Sequence, residues 1–350
     1  MKSKFVGGLS SMLYNLIVCA FIALASGFAL SAVAGVGFAG SLLIQSGGAR
    51  MAIQKEIWMN SIVEGLFANN TFLSKAFNAD EFVTNKTVHI PNAGVASSVT
   101  KNRAAFPAAV TSRTDTDLTF NLDEYTTDPI KISNAESVEL SYSKRESVLK
   151  LDKAALIESV SNDFIYKWSP AAASVIRTTG AAVLAHTPAA TLNRKAFVKG
   201  DVLSAMNKFN AQDIPQEGRY MLVDAVMYGQ LLDSLTTQEA MAFHSQVDVA
   251  NGVLGKIYSF NIMMRSKAAR YTAALAAKEW TTAGAATDHG AVLAWHENSV
   301  VRALGTTEVF DDVSNPLYYG DIYSFLVRAG GRPMRTDVLG LMAIVQDTAA

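Results

Sequence analysis

Between Leu149 and Trp168 the apolar residues recur at steps of seven or four: Leu149, Leu156, Val160, Phe164 and Trp168. Ile157 and Ile165 widen the stripe. At about 3.6 residues per turn these positions share one face, so the spacing predicts a long amphipathic helix over about 145–169. Lys150, Lys153, Glu158 and Asp163 fall mostly off the stripe and can stay wet. Ser169-Pro170 ends the helix, because the residue before a proline is pushed out of the α region.

The chain before this helix is patterned differently. Ile57, Ile62, Val63, Leu66 and Phe67 form one apolar face, and Phe72, Leu73, Ala76 and Phe77 form the next beyond Asn69-Asn70. Residues 53–79 are therefore expected as one or two short helices. From 82 to 132 the period drops to two. Phe82-Val83, Thr87-Val88-His89-Ile90 and Leu118-Thr119-Phe120-Asn121-Leu122 alternate as half-exposed strands do. Asn92 to Asp115 lies between them, rich in Ser, Thr, Ala and Arg and too poor in large hydrophobes to bury itself. A loop longer than about 12–15 residues is unusual inside a compact domain. Laying it across another subunit is one way to stabilise it.

After Pro170, helical and strand patterns are interspersed. Small residues dominate Ala171–Ala185, with Gly180 as a break, and His186-Thr187-Pro188 marks a loop. Asp201 is expected to cap a helix carrying Val202, Leu203, Ala205, Met206 and Phe209. Tyr220–Val223, Phe260–Met264, Ala291–Trp295, Thr307–Phe310 and Leu339–Val345 are expected as strands. Ala225–Leu235, Ser299–Leu304 and Tyr319–Val327 are expected as helices, the last ended by Gly330-Gly331. Residues 266–290, rich in Ala, Thr and Gly, are expected as a surface loop. No repeat of about 20–50 residues is visible. Without regular βαβ alternation, the expected fold class is α+β.

Half of the 350 residues are apolar, more than enough to build a core. The net charge of −1 argues against a chain that coats nucleic acid through general basicity. Residues 1–50 contain Lys2, Lys4 and Arg50 and no acid, which leaves 27 basic and 31 acidic groups in 51–350, a net of −4. Leu13–Ile44 is apolar for longer than the roughly 20 residues that cross a bilayer. With Lys2 and Lys4 ahead of it and Ser31-Ala32-Val33-Ala34 near its middle, it has the form of a signal peptide or anchor. The second reading is an over-extended reading frame. Met51 opens MAIQKEIWMNSIVEGL, an ordinary N-terminus, and the codons of Gly47-Gly48 just upstream can spell a ribosome-binding sequence. Cys19 is the single cysteine, so no disulfide forms within the chain and a multi-cysteine metal site is excluded.

Candidate chemistry is sparse. None of His89, His186, His244, His289 and His296 pairs with another histidine at the HExxH spacing of a zinc protease. Asp288-His289 is expected in a surface loop, and His296 at a strand end beside Trp295. Gly252–Lys256 lacks the spacing of a phosphate loop, and Ile257 stands where a magnesium-binding hydroxyl would be needed. No GxGxxG follows a strand and no GxSxG elbow occurs. Asp80-Glu81 and Asp311-Asp312 are expected as solvated turns, and Lys144-Arg145 as a wet face. No residue is assigned a catalytic, cofactor-binding or metal-binding role.

The order of parts resembles the major capsid protein of tailed bacteriophages, a fold shared with encapsulin nanocompartments. Local phrases carry the resemblance as well. Asp213-Ile214-Pro215-Gln216-Glu217-Gly218-Arg219-Tyr220 is similar to the family's VP-x-x-GR segment before an apolar strand. Gly252–Lys256 followed by Ser259-Phe260-Asn261-Ile262 is similar to its G-x-x-G-x-x-x-G-F turn, with Ser259 in place of the usual glycine. Tyr319-Gly320-Asp321 through Gly330-Gly331-Arg332 and the final strand also match. The resemblance implies an N-terminal arm at 51–81 and an extended β-hairpin loop at 82–132. It implies a peripheral domain at 133–200 and 301–346 with the spine helix at about 145–169, and an axial domain at 201–300. Residues 1–50 have no counterpart.

The function implied is structural: a coat subunit that self-assembles into the icosahedral shell around a phage genome. Implied partners are further copies in pentamers and hexamers, scaffolding, portal and decoration proteins, and packaged double-stranded DNA without sequence-specific contact. No enzyme activity and no cofactor are implied, and no membrane if residues 1–50 are not translated. The place implied is the virion, assembled in the host cytoplasm. Some shells of the family crosslink Lys to Asn, and no such pair is identifiable in the sequence. Two other readings share parts of the pattern. One is an encapsulin-like compartment; the other is a membrane-anchored or secreted enzyme using residues 1–50 as its anchor.

Overall fold

In a computed structural model of the protein, the long helix runs from Lys144 to Trp168. The structure describes residues 58–66, 70–92, 99–104, 110, 116–133 and 144–349. The apolar run Leu13–Ile44, Met51, Ile57 and most of the loop after Asn92 lie outside the described residues. By chain contacts the protein divides into two units, Met1–Ser61 and Ile62–Ala350. In the first, residues 58–61 are helical. In the second, helical residues 62–66 bury Ile62 and Leu66, and a 3-10 turn at Thr71–Lys75 buries Phe72 and Leu73.

The strands of the second unit form two large sheets and two small ones. In chain order they begin with β1 (Phe77–Asn78), β2 (Val83–Thr84), β3 (Thr87–Asn92), β4 (Thr116–Asn121), β5 (Asp123–Thr126) and β6 (Ile130–Ser133). After the long helix come β7 (Val175–Arg177), β8 (Ala182–Leu184), β9 (Asn193–Lys195), β10 (Arg219–Val223), β11 (Val253–Ile257) and β12 (Phe260–Met264). The last are β13 (Ala269–Tyr271), β14 (His289–His296), β15 (Val300–Asn315), β16 (Gly320–Pro333) and β17 (Leu341–Val345). The first sheet has the order β1-β15-β16-β5, with β6 also paired to β16. The second has the order β11-β12-β10-β14-β17-β7, with β13 paired to β14. Strands β2-β3-β4 form the extended hairpin read from the period-two pattern, and β8-β9 a small ribbon. Helices at Lys199–Ala211, Ala225–Asp233 and Thr237–His244 belong to the second half of the chain. The class is α+β, as expected.

The stripe of the long helix is buried as the spacing predicts: Leu149, Leu156, Ile157, Val160, Phe164, Ile165 and Trp168 are all core residues. Trp168 sits where the two large sheets meet. Its ring lies 5.8 Å from Phe164, 5.8 Å from Phe72 edge-on and 6.0 Å from Trp295 of β14. Its indole N–H donates to the Val301 carbonyl of β15 at 3.0 Å. One side chain thus ties the helix to both sheets.

Two segments expected as helices are strands. Ser299–Leu304 opens β15, and Tyr319–Val327 forms most of β16. The spacing of Tyr319, Ile322, Tyr323 and Leu326 fits a helix face, but the segment pairs with β15 along its length, and Phe325, Leu326 and Val327 are buried in succession, so both faces of the strand are covered. The two strands form one long antiparallel hairpin with bulges between Leu304 and Thr307 and between Asp312 and Asn315. Gly330 and Gly331 are therefore strand residues, not a helix cap. A Cβ on Gly331 would lie 2.7 Å from the Val301 carbonyl oxygen and 2.8 Å from Trp168 Nε1, so glycine is needed to let the indole approach the strand. Asp201 also differs from expectation. The helix begins at Lys199, and the buried Asp201 carboxylate accepts N–H bonds from Val198 and Thr179 at 3.0 and 3.1 Å. Residues 266–290 are not simply a surface loop: they contain β13, and Arg270 and Tyr271 are buried.

The second core centres on Phe209 and Phe260, edge-to-face at 5.2 Å, with Met221, Val223, Val292 and Ile344 around them. The fully buried guanidinium of Arg219 lies 5.4 and 5.9 Å from those two rings. It donates to the Pro215 carbonyl at 2.8 Å, to Ser259 Oγ at 2.9 Å, to Asn210 Oδ1 at 2.9 Å and to the Ile214 carbonyl at 2.5 Å. The arginine that closes the 213–220 phrase and the serine that departs from the glycine turn are therefore partners. A planar fork with several donors can serve all four acceptors at once, which an ammonium cannot.

Two expectations follow. Trp168→Ala should lower unfolding free energy by about 3–5 kcal/mol, measured by denaturant unfolding of the purified protein, with Gly331→Val harmful through the same contact. Arg219→Met should cost about 3–5 kcal/mol by leaving the 214–215 carbonyls unpaired, and Arg219→Lys should recover less than half of it.

Candidate functional site

The residues singled out for chemistry do not converge. His89 is exposed on β3 and pairs with Asp117 at 3.5 Å. His244 is exposed at the end of helix Thr237–His244. His186 and Asp224 meet at 2.7 Å, and the same carboxyl caps helix Ala225–Asp233 by accepting from Met227 N–H at 2.7 Å. Lys144 and Arg145 open the long helix. Gly252 precedes β11, which holds Val253–Lys256, and lies in the left-handed region at φ +69°. Asp311-Asp312 belongs to β15 and is not a turn. Asp80 is not simply solvated: it accepts the Leu304 N–H at 2.7 Å and pairs with Arg302 at 3.3 Å, fastening the 3-10 turn Asp80–Phe82 to β15.

Asp288-His289, expected in a surface loop, is buried at about 1% exposure for each residue. Asp288 pairs with Lys278 at 2.7 Å and Arg270 at 3.8 Å and accepts the Ala285 N–H at 2.9 Å. Burial pushes its carboxyl up, but the Lys278 bond, the Ala285 N–H and the nearby cations outweigh it and hold the group below the usual carboxylate range. Arg194, also buried, donates to the carbonyls of Ala286 and Asp288 at 3.1 and 3.2 Å. This cluster stitches the 272–288 segment to β13, β14 and β9. Reading by composition missed it because Arg270, Lys278 and Asp288 are spread through an Ala/Thr/Gly background, and nothing local marks them as partners.

His289 and His296 bound β14, a strand buried along its whole length. Burial first, then the cations Arg194 and Arg177, push the His289 imidazole down to about 4, against the weaker pull of Asp347 and Asp288. Burial also lowers His296, whose Nδ1 accepts the Asn298 N–H at 3.2 Å. The His289 ring is therefore neutral where ordinary histidine begins to titrate.

The surface carries a different signal. The β15–β16 hairpin, with a 14-residue second strand, extends roughly 45 Å at the usual strand rise. At its turn Leu317 and Tyr319 are about 82% and 80% exposed, and Tyr318 half exposed. Tyr319 holds φ +50°, a conformation that strains a bulky residue. Leu184 and Leu192 are exposed on the β8–β9 ribbon, and Met241 and Val249 near helix Thr237–His244. Apolar side chains on extended tips cost solubility in an isolated subunit and gain burial only against another chain. Sequence reading missed the hairpin tip because it placed Tyr319 on a helix.

The base of the hairpin region is fastened by polar contacts from β5. Tyr125 donates to Asp163 of the long helix, and Lys167 bridges Asp163 and Asp123. On the other side of β5, Glu124 pairs with Arg328 and Lys86, each at 3.2 Å, and these two hydrogen bonds hold its carboxyl below the usual range. Among the described residues no helix is long and apolar enough to cross a membrane.

The histidines give a pH expectation. The unfolded chain binds a proton at His289 near pH 6.5 and the folded chain only near 4, so stability is full above about 6.5 and declines as pH falls toward 4. The loss should reach at most about 3 kcal/mol. His289→Gln should flatten this segment of the stability–pH curve, read by thermal unfolding at fixed ionic strength.

No family model matches the sequence, and no characterised protein matches it. The fold has many counterparts. The capsid of Ralstonia phage GP4 is similar at 13% identity and a TM-score of 0.57, over 79% of this chain and 88% of that one. The capsid of cyanophage P-SCSP1u is similar at 15% identity and 0.53, over 79% and 86%. The capsid of a native GTA particle is similar at 10% identity and 0.52, over 81% and 90%. The chain therefore has the fold of tailed-phage capsid subunits.

Proposed function

We propose that the protein is a major capsid subunit that self-assembles into an icosahedral shell enclosing a tailed-phage DNA genome. The observation that carries this reading is the sharing of the capsid fold over about four-fifths of the chain with the phage GP4 capsid. The exposed hairpin tip supports it, because an apolar turn at the end of a long arm is suited to contact with a neighbouring copy. The role is structural, and the partners are further copies in pentamers and hexamers, joined by scaffolding, portal and decoration proteins.

In this reading residues 51–81 are the arm and 82–132 the extended loop. The long helix and the β15–β16 hairpin form the peripheral domain, onto whose edges β1 of the arm and β5 and β6 at the end of the extended loop pair. The axial domain is 201–300, and the strands Val175–Arg177 and Leu341–Val345 belong with it, because they pair into its sheet and not into the peripheral one. The small negative charge of 51–350 suits a container that encloses DNA without gripping it.

The test is expression of the protein, with residues 51–350 in parallel, followed by negative-stain electron microscopy. Closed shells, or rings of five and six, are expected, and nuclease-protected DNA in particles from an infected host would separate a genome shell from an enzyme compartment. The double substitution Leu317→Asp with Tyr319→Asp should leave folded subunits, by circular dichroism, that no longer form rings. Wild-type protein that stays a small particle even with its scaffold supplied would defeat the proposal.

A further inference from the structure

Asn251-Gly252 is the single Asn-Gly pair in the sequence. It lies in the exposed turn between helix Thr237–His244 and β11. The Asn251 carboxamide is held at both ends. Lys75 Nζ donates to its oxygen at 2.7 Å, across from the 3-10 turn Thr71–Lys75. Its nitrogen donates to Asp248 Oδ2 at 2.7 Å, and the Asn251 backbone N–H donates to Asp248 Oδ1 at 3.3 Å. These bonds from Asn251 hold the Asp248 carboxyl below its usual range, so the clamp is an ionised carboxylate on one side and an ammonium on the other.

Gly252 is fixed by packing. It holds φ +69°, and a Cβ there would lie 2.1 Å from Thr71 Oγ1. No side chain can therefore be added to shield its backbone nitrogen, which donates to the Val249 carbonyl at 3.1 Å.

We propose that Asn251 is a self-modification site, at which the Gly252 nitrogen displaces the side-chain amide to form a succinimide that water opens to aspartate or isoaspartate. The Gly252 N–H releases Val249 and loses its proton, and the nitrogen attacks Asn251 Cγ. Negative charge grows on Oδ1, where the Lys75 ammonium already donates, so the lysine stabilises the tetrahedral intermediate. The Cγ–Nδ2 bond then breaks, and the amide nitrogen leaves as ammonia with the proton that Gly252 gave up. Water adds to one of the two imide carbonyls, and the ring opens to a carboxylate.

The product changes the joint between Thr71–Lys75 and the 248–252 turn. The neutral carboxamide that Lys75 and Asp248 both grip becomes an anion, which pairs with Lys75 and repels Asp248. The isoaspartate product also lengthens the backbone under Thr71 by one methylene. The joint thus acquires an age-dependent state.

The experiment is peptide mapping by mass spectrometry of the full-length protein after incubation in warm, mildly alkaline buffer, with isoaspartate measured separately. Deamidation is expected to concentrate at Asn251. Lys75→Met should slow it by about tenfold, the rate equivalent of one charge-assisted hydrogen bond. Lys75→Gln, which keeps a donor without the charge, should fall between. Both variants are checked for wild-type circular dichroism, and a synthetic 248–256 peptide supplies the rate without Lys75. Deamidation at Asn251 no faster than at the other asparagines would overturn the proposal. So would an unchanged or faster rate in folded Lys75→Met, or a rate in the protein no higher than in the peptide. A peptide covalently joined through Lys75 and Asn251 would overturn it too, by showing that the lysine amine and not the Gly252 nitrogen attacks.

Discussion

The indole of Trp168 is the constraint on which the arrangement of the second unit depends. It lies at the last residue of the long helix, touches Trp295 in one sheet and donates to Val301 in the other. A ring of this size buries enough apolar surface to dominate its surroundings, and its one polar atom demands a partner when buried. Satisfying both requirements fixes the helix end, the β14–β15 corner and the glycine at 331 together. Trp295 extends the joint, since its own N–H donates to the Lys75 carbonyl at 2.8 Å. The segment that precedes the extended hairpin is thereby held against the same ring pair.

Away from this joint, buried charge does the locating. Arg219 and the Arg270–Lys278–Asp288 group are desolvated, and each is tolerated because acceptors stand against it: the Ile214 and Pro215 carbonyls for Arg219, and the Asp288 carboxylate for Arg270 and Lys278. Such groups contribute less to net stability than to uniqueness: a shifted turn at 214–215 or 285–288 would strand a charge in the core. The apolar cores tolerate exchange of Leu, Ile, Val and Met more readily. This difference gives a physical reason why the fold persists against phage capsid chains at 9–15% identity. Packing of the right volume in the right pattern is enough for the core, and only a few positions need one residue type.

On the remaining surface, solubility and association pull in opposite directions. The hairpin of β15 and β16 puts Leu317, Tyr318 and Tyr319 where only a neighbour can cover them. The strained φ at Tyr319 would be relieved by glycine, at the loss of the exposed apolar ring.

The sequence by itself determined what depends on local periodicity. The long helix and its stripe from Leu149 to Trp168, the strands read at 87–90 and 118–122 and found at 87–92 and 116–121, and the 220–223 and 260–264 strands were legible because each rests on spacing within a few residues. Phrases at 213–220 and 252–262 pointed to the fold, and their physical content is the Arg219–Ser259 bond, which no local pattern displays. The tertiary structure alone decided the rest. Whether Tyr319–Val327 coils or extends depends on Val300–Asn315 lying beside it, because spacing of three and four and spacing of two coincide over so short a run. Whether Gly331 caps or admits an indole depends on Trp168, 163 positions earlier in the sequence. Whether Asp288 and His289 are wet or buried depends on Arg194 and Arg270 closing over them. In each case the deciding partner is remote in sequence, so the outcome is set by the packing of distant segments and not by the residues' own propensities.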